Sequence, residues 1–279
     1  MLPTTTTRKL VIFTDLDGTL LDRNTYSFEP ALPALNLIRQ KGVPLILTSS
    51  KTRAEIELVQ KQLENSHPFV SENGGAIFIP KDYFSFPFHY DRESAKYFIL
   101  ELGAPYSVMI EVLDSIRKET GISIKGFSDF SEKELSSFCG LGQKEAAFAK
   151  KREYDEPFMI EGGEKEFEIV ERKIKEKGMN YAWGGRFHHI FGKNDKGKAV
   201  EILKELFKTH FSSIFTVGIG DSLNDLPMLS LVDYPIFLKE KGDPLPETFS
   251  LIQNVRVING GGPEAWSEVI VNIVNELEV

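Results

Sequence analysis

Two carboxylates two residues apart open the chemistry of this chain. Asp15-Leu16-Asp17-Gly18-Thr19 follows directly on the apolar run at residues 10–14. A second acidic group, Gly220-Asp221-Ser222-Leu223-Asn224-Asp225, follows another apolar run at residues 214–219. In open α/β sheets ligands bind beyond the carboxyl ends of the strands, which is where both groups fall. If the two strands are neighbours, three or four carboxylates converge. At an effective dielectric of about 20, two such charges ~4 Å apart repel by roughly 4 kcal/mol. That repulsion calls for a bound cation or a raised carboxyl pKa. Every nearby ligand atom is an oxygen and neither group contains Cys or His, so Mg²⁺ is the favoured ion.

Two further segments suit an anion such as phosphate. Thr48-Ser49-Ser50-Lys51-Thr52 stands where a strand ends and a helix begins, offering hydroxyls, free backbone N–H groups and an ammonium. Lys193-Asn194-Asp195-Lys196-Gly197-Lys198 precedes another helix and carries three ammonium groups. Taken singly, the first could be a helix cap and the second a solvated basic loop. Convergence with the carboxylates favours a phosphate site.

The elements that must position these groups follow from hydrophobic patterning. Residues 10–14 and 43–48 read as buried strands, with amphipathic helices at 30–40 and 52–64. Residues 69–70 and 76–79 read as short strands around the turn signal Glu72-Asn73-Gly74-Gly75. Late in the chain come a helix at 198–207, a buried strand at 214–219 and a short helix at 225–231. The Gly-rich turn Asn259-Gly260-Gly261-Gly262-Pro263 leads into a last helix. Between these halves the texture changes: helices at 108–119, 143–152 and 165–177, strands at 122–125 and 157–160, and alternating residues over 181–191. The expected architecture is α/β, a Rossmann-like parallel-sheet core formed by residues 1–84 and 193–279, with an inserted α+β cap at 85–192.

Composition bounds the function. The 279 residues carry 33 Lys+Arg and 41 Asp+Glu, a formal net charge of −8. Such acidity disfavours a nucleic-acid binder, though local cations can still hold a small anion. With 41% apolar and 27% charged residues the balance is that of a globular protein. One cysteine, Cys139, excludes an internal disulfide and any multi-cysteine zinc site. No apolar run approaches the ~18 residues of a membrane span, and the threonine-rich N-terminus lacks the pattern of a cleaved signal. A cytoplasmic protein without membrane or nucleic-acid partners is expected, its oligomeric state open.

The ordered set Asp-x-Asp-Gly-Thr, a Ser after the second strand, Lys before Gly at a helix start, and Gly-Asp-x-x-Asn-Asp resembles the haloacid dehalogenase-like phosphatases. The long insertion between the second and third of these motifs resembles the branch with an α/β cap. Within the chain, Ser49-Ser50-Lys51-Thr52-Arg53-Ala54-Glu55, Ser71-Glu72-Asn73-Gly74-Gly75, Arg152-Glu153-Tyr154-Asp155-Glu156-Pro157-Phe158 and Trp183-Gly184-Gly185-Arg186-Phe187-His188-His189 are similar to the mannosyl-3-phosphoglycerate phosphatase family. Broader sugar phosphatases of this branch usually carry Thr-Gly-Arg where Ser49-Ser50-Lys51 stands.

The resemblance implies roles. Asp15 is the nucleophile that forms an aspartyl-phosphate, and Asp17 protonates the leaving alkoxide and then activates water. Ser49 binds a phosphoryl oxygen, and Lys196, chosen over Lys193 and Lys198 because it immediately precedes Gly197, neutralises charge. Mg²⁺ is held by Asp15, the Asp17 carbonyl and Asp221, with Asn224 and Asp225 in support. Substrate contacts are expected from Lys51, from Arg186 and Arg152 on a glycerate carboxylate, and from His188 or Glu153 on sugar hydroxyls. His188 and His189 point to opposite faces if on a strand, so at most one meets substrate. Trp183 is expected in the core and Cys139 as an inert apolar residue. The implied substrate is a small phosphorylated sugar-glycerate, mannosyl-3-phosphoglycerate first. Alternatives are the glucosyl compound or another sugar phosphate, a phosphotransferase or mutase, and a non-catalytic phosphosugar binder.

Overall fold

The computed structural model describes residues 8–183, 186–240, 242, 245, 248–249 and 252–276. The threonine-rich segment at residues 1–7, and Gly184 and Gly185, lie outside the described residues.

The first half of the core runs β1 (Lys9–Thr14), α1 (Leu32–Gln40), β2 (Leu45–Thr48), α2 (Arg53–Leu63), β3 (Phe69–Ser71), β4 (Ala76–Pro80), β5 (Arg92–Glu93) and β6 (Tyr97–Glu101). The chain then builds α3 (Tyr106–Thr120), β7 (Ile124–Gly126), α4 (Glu132–Cys139), α5 (Gln143–Ala149), β8 (Asp155–Ile160), α6 (Glu164–Glu176), β9 (Asn180–Trp183) and β10 (His188–Phe191). It returns as α7 (Lys196–Phe211), β11 (Ile214–Gly220), α8 (Leu226–Leu229), β12 (Tyr234–Lys239), β13 (Arg256–Asn259) and α9 (Gly262–Glu276).

The core is a nine-stranded sheet in the order β13-β12-β11-β1-β2-β3-β4-β6-β5. The strands from β13 to β3 are mutually parallel, and β4, β6 and β5 add antiparallel pairs at one edge. Its central strand reads as a continuous apolar run because both faces are covered. Leu10 and Ile12 of β1 pack with Ile38, Ile56 and Trp266 on one side. Val11 and Phe13 pack with Val200, Leu203 and Phe207 of α7 on the other.

The antiparallel edge corrects the expected domain division. Residues 92–101, assigned from the sequence to the cap, belong to the core sheet: β6 pairs with β4, and β5 pairs with β6. The polypeptide therefore leaves the core sheet after Glu101, not at residue 84. The inserted unit is a four-stranded antiparallel sheet, β7-β8-β10-β9. Met109, Leu113 and Ile116 of α3 and Val170 and Ile174 of α6 cover one face, against Phe158 and Ile190. α4, unanticipated from the sequence, and α5 form a smaller cluster with Phe127, Phe130 and Phe187. No helix among the described residues is long and apolar enough to cross a membrane.

Candidate active site

The sheet reverses its winding at β1. From β1 the chain winds outward through β2 and β3 on one side, and the returning strands β11, β12 and β13 fill the other. Such a switch point leaves a crevice at the carboxyl ends of its two strands. Asp15 follows β1 and Asp221 follows β11, and the two ends are stitched by the Asp15 amide donating to the Ile219 carbonyl at 2.9 Å. Gly18 sits at φ +79, and a Cβ there would lie 2.4 Å from Asp221 Oδ2, so only glycine lets the two loops approach.

Asp15, Asp221 and Asp225 offer carboxylate oxygens all within 4.8 Å of one another. Lys196, wholly buried at the start of α7, reaches into this group, its Nζ donating to Asp15 Oδ1 and Asp225 Oδ1 at 2.6 Å each. Burial alone would pull this ammonium down, but the two carboxylates hold it above its ordinary value. Burial, with repulsion from Asp225 and Asp221, raises Asp15 well above the usual carboxylate range against the pull of Lys196. Asp221 is pushed up to about 6 by burial and Asp225, although the Arg23 guanidinium sits on its Oδ2 and opposes the shift. Thr19 donates to its Oδ1 at 3.2 Å.

Asp225 has both oxygens engaged, Oδ1 by Lys196 and Oδ2 by the amides of Asp221 and Ser222 at 3.1 Å. Asn224 donates through Nδ2 to Asn73 Oδ1 at 3.0 Å and accepts from the Ser222 hydroxyl. Asp17 faces the same space: Lys51 Nζ meets its Oδ2 at 2.9 Å, while its buried Oδ1 has no hydrogen-bond partner among the described residues. The carboxylate oxygens that Asp15, Asp221 and Asp225 crowd within 4.8 Å are hard donors, so the set fits a divalent cation of the Mg²⁺ type. Burial would lower the Lys51 ammonium, yet Asp17 and Glu55 hold it above its ordinary value. Ser49 is buried at the end of β2, its hydroxyl accepting from the Lys51 amide at 3.2 Å.

A cavity of about 410 Å³ lies between these residues and the inserted unit, lined from the core by Asp15, Asp17, Lys51 and Asp221 among others. Arg152 and Arg186 line it from above. Arg152 is anchored by Nη1 on the Ser50 carbonyl at 2.7 Å and Nε on the Ala149 carbonyl at 3.0 Å. Arg186 caps α4, donating to the carbonyls of Cys139 at 3.0 Å and Phe138 at 2.7 Å. Cys139 also lines the cavity, its thiol pushed up by burial.

The histidine expectation is corrected. Alternation on β10 does place the two rings on opposite faces, but His188 faces away from the cavity. It pairs across the strand with Phe158, stacks on that ring and bonds Tyr181 at 2.6 Å. Burial lowers it to about 4. His189, opposite Pro157, lines the cavity instead. Glu153 is held by Arg53 and Arg92 and is not among the lining residues. Trp183 is 42% exposed against the expected core position.

Sequence reasoning missed what joins the two units. Residues 71–75, of which 72–75 read as a turn, lie against both segments that link the units: the Leu102 and Gly103 amides donate to the Gly75 carbonyl at 2.9 and 2.8 Å, and Gly74 abuts the Asp195 backbone. Buried Glu72 accepts from the amides of Glu153, Tyr154 and Asp155 at 3.0, 2.8 and 2.9 Å. Burial pushes its carboxyl up to about 8, against Arg152 and those amides. Asn73 donates to Asp155 Oδ2 at 2.5 Å, and the Asn194 amide reaches the Asn73 carbonyl at 3.2 Å. The Asn-Gly dipeptide was a turn signal; nothing in the sequence said which segments the turn would grip.

A family model described as haloacid dehalogenase-like hydrolase matches residues 12–252. The chain is 46% identical over 268 residues, 96% of its length and 98% of the relative's, to a glucosyl-3-phosphoglycerate/mannosyl-3-phosphoglycerate phosphatase of Methanococcoides burtonii. It is 34% identical over 88% of its length and 97% of the relative's to a mannosyl-3-phosphoglycerate phosphatase of Pyrococcus furiosus. Among solved structures, Thermoplasma acidophilum 0175 superposes with a TM-score of 0.64 at 19% identity, covering 97% of this chain and 99% of that one.

Proposed function

Because this chain belongs to the haloacid dehalogenase-like hydrolases, we propose that it is a Mg²⁺-dependent phosphatase that hydrolyses mannosyl-3-phosphoglycerate to mannosylglycerate and phosphate. The observation that carries the reading is the buried Asp15–Lys196–Asp225 group beside Asp221, at the floor of a cavity roofed by two anchored arginines. The relative that is 46% identical is named for both the glucosyl and mannosyl compounds, which favours acceptance of both sugars here.

Asp15, Asp221 and the Asp17 carbonyl are the groups to hold Mg²⁺, which when bound neutralises charge on the phosphate and keeps Asp15 ionised. Asp15 attacks phosphorus, the ester P–O bond breaks, and Asp17 delivers its proton to the departing alkoxide oxygen. Asp17 then takes a proton from water, whose oxygen attacks the phosphorus of the aspartyl-phosphate and frees inorganic phosphate and Asp15. Lys196 neutralises charge on Asp15, and Ser49 and Lys51 contact the phosphoryl oxygens. Asn224 and Asp225 hold the loop that carries Asp221. Arg152 and Arg186 present cations to the glycerate carboxylate.

The test is phosphate release from mannosyl-3-phosphoglycerate, glucosyl-3-phosphoglycerate and simple sugar phosphates, with Mg²⁺ and with chelator. Mg²⁺-dependent preference for the two glycosylated phosphoglycerates supports the reading; flat activity across the panel removes the substrate assignment and keeps the chemistry. Asp15→Asn must abolish release. Transfer of phosphate between sugars without release to water would make the chain a phosphotransferase, and binding without turnover a phosphosugar-binding protein.

A further inference from the structure

The inserted unit contributes Phe127, Cys139, Leu141, Ala149, Arg152, Pro157, Arg186, Phe187 and His189 to the cavity wall. The two guanidiniums are donors only. Among these described side chains, the one nitrogen or oxygen able to accept a hydrogen bond belongs to His189.

Its ring is fixed from behind. Asp155, fully buried at the start of β8, faces His189 Nδ1 through Oδ1 at 2.9 Å and accepts from Asn73 Nδ2 through Oδ2 at 2.5 Å. A carboxylate that accepts from both sides takes a proton-bearing nitrogen as its partner, so Nδ1 carries the hydrogen and Nε2 is bare in the neutral ring. Asn73 is itself oriented by Asn224, whose Nδ2 donates to Asn73 Oδ1 at 3.0 Å. The order Asn224–Asn73–Asp155–His189 ties the ring to the acidic loop at the cavity floor.

We propose that His189 is a specificity-determining residue, its bare Nε2 accepting a hydrogen bond from a hydroxyl of the sugar, and that Asp155 is the positioning residue that sets this tautomer. The proposal rests on the glycosyl-phosphoglycerate reading. It divides the roof between the two ends of the leaving group, with the arginines on the carboxylate and His189 on the sugar.

Kinetics of His189→Asn, His189→Gln and Asp155→Asn test it on mannosyl-3-phosphoglycerate and on p-nitrophenyl phosphate, which carries no sugar. Asn can keep the bond to Asp155 but withdraws from the cavity, whereas Gln reaches the position of Nε2. His189→Asn and Asp155→Asn are expected to raise KM for the glycosylated compound about tenfold with kcat within about threefold, a lost hydrogen bond to bound substrate. Their loss on p-nitrophenyl phosphate is much smaller than on the glycosylated compound, and His189→Gln recovers most of the KM. In ¹⁵N imidazole spectra the wild-type resonance lost in His189→Gln shows Nδ1 protonated. An unchanged KM in His189→Asn, an equal loss on both compounds, or a ring protonated on Nε2 would each overturn the proposal. Should wild-type protein cleave p-nitrophenyl phosphate and no glycosylated phosphoglycerate, the functional reading falls, while the tautomer still decides whether Asp155 sets the ring.

Discussion

The Arg23 guanidinium rests on Oδ2 of Asp221, the carboxylate at the end of β11. The arginine side chain is 51% exposed and the aspartate 5%, so a half-exposed cation meets a buried anion. A divalent ion held by Asp221 as proposed has to compete with Arg23 for the same carboxylate. Half-exposed pairs are weak, about 1 kcal/mol or less. Arg23→Ala is therefore expected to lower the half-saturating Mg²⁺ concentration by about two- to fivefold, a shift of that size in free energy. Magnesium titrations of phosphate release measure it; weaker Mg²⁺ binding in the variant would mean that Arg23 assists the ion.

Lys196 separates two buried carboxylates that would otherwise face each other. Removing one member of a buried ion group leaves uncompensated charge, a loss of about 3–5 kcal/mol. Lys196→Ala is expected to unfold that much more readily in urea. The double variant Lys196→Met with Asp225→Asn is expected to recover more than half of the loss while staying inactive. Equal stability of single and double variants would mean that the charges do not couple.

If Asp221 and Asp15 hold Mg²⁺ as proposed, protons compete with the ion for Asp221, whose carboxyl is pushed up to about 6, and for Asp15, which is raised as well. Above about pH 6 Asp221 is ionised and free to bind metal; below it each pH unit costs about a factor of ten in affinity per proton displaced. The Mg²⁺-induced rise in Tm is expected to be large at pH 7.5 and to vanish by pH 5, though the metal-free fold itself gains stability as these carboxylates protonate. Thermal melts across that range with and without Mg²⁺ test the sign.

Glu72 gives a stability effect of opposite direction to the usual acid denaturation. Its folded-state value of about 8 exceeds its ordinary 4.5. The folded state therefore binds the proton more tightly. Below pH 4.5 both states are protonated and burial carries no charge penalty; between 4.5 and 8 the penalty grows, and above 8 it is complete. Relative to Glu72→Gln, the wild-type chain is expected to lose stability steadily across this window, read as the pH dependence of the difference in urea midpoint. A flat difference would mean that the three amides from residues 153–155 keep the carboxylate ionised throughout.

Much of the core and its floor was legible in the chain. The runs at β1 and β11, the latter broken only by Thr216 and Gly218, are largely apolar because both of their faces are covered, and such runs reveal their own ends, which is where Asp15 and Asp221 lie. β5 and β6 were not legible: Arg92–Glu93 is two exposed residues, and Tyr97–Glu101 became core only by pairing with β4. α4 is eight residues with one apolar stripe of Leu135 and Cys139, too short for periodicity to separate from a loop despite its Ser131–Glu134 capping box. The two histidines show a limit of another kind. Alternation alone told that they part company, whereas the choice of face depends on the register that sets His188 opposite Phe158.

Residues 71–75 also bear on how such an enzyme could be rebuilt. The turn belongs to the core by sequence position and touches both core and insertion. A Cβ on Gly74 would lie 2.1 Å from the Asp195 carbonyl oxygen, and one on Gly75 would lie 2.4 Å from the Tyr154 Cβ. Grafting a foreign roof onto this base by cutting at the two crossings would therefore leave a mismatched seam. Exchange between relatives has to move the pentapeptide with the roof, so two separate stretches of chain travel together.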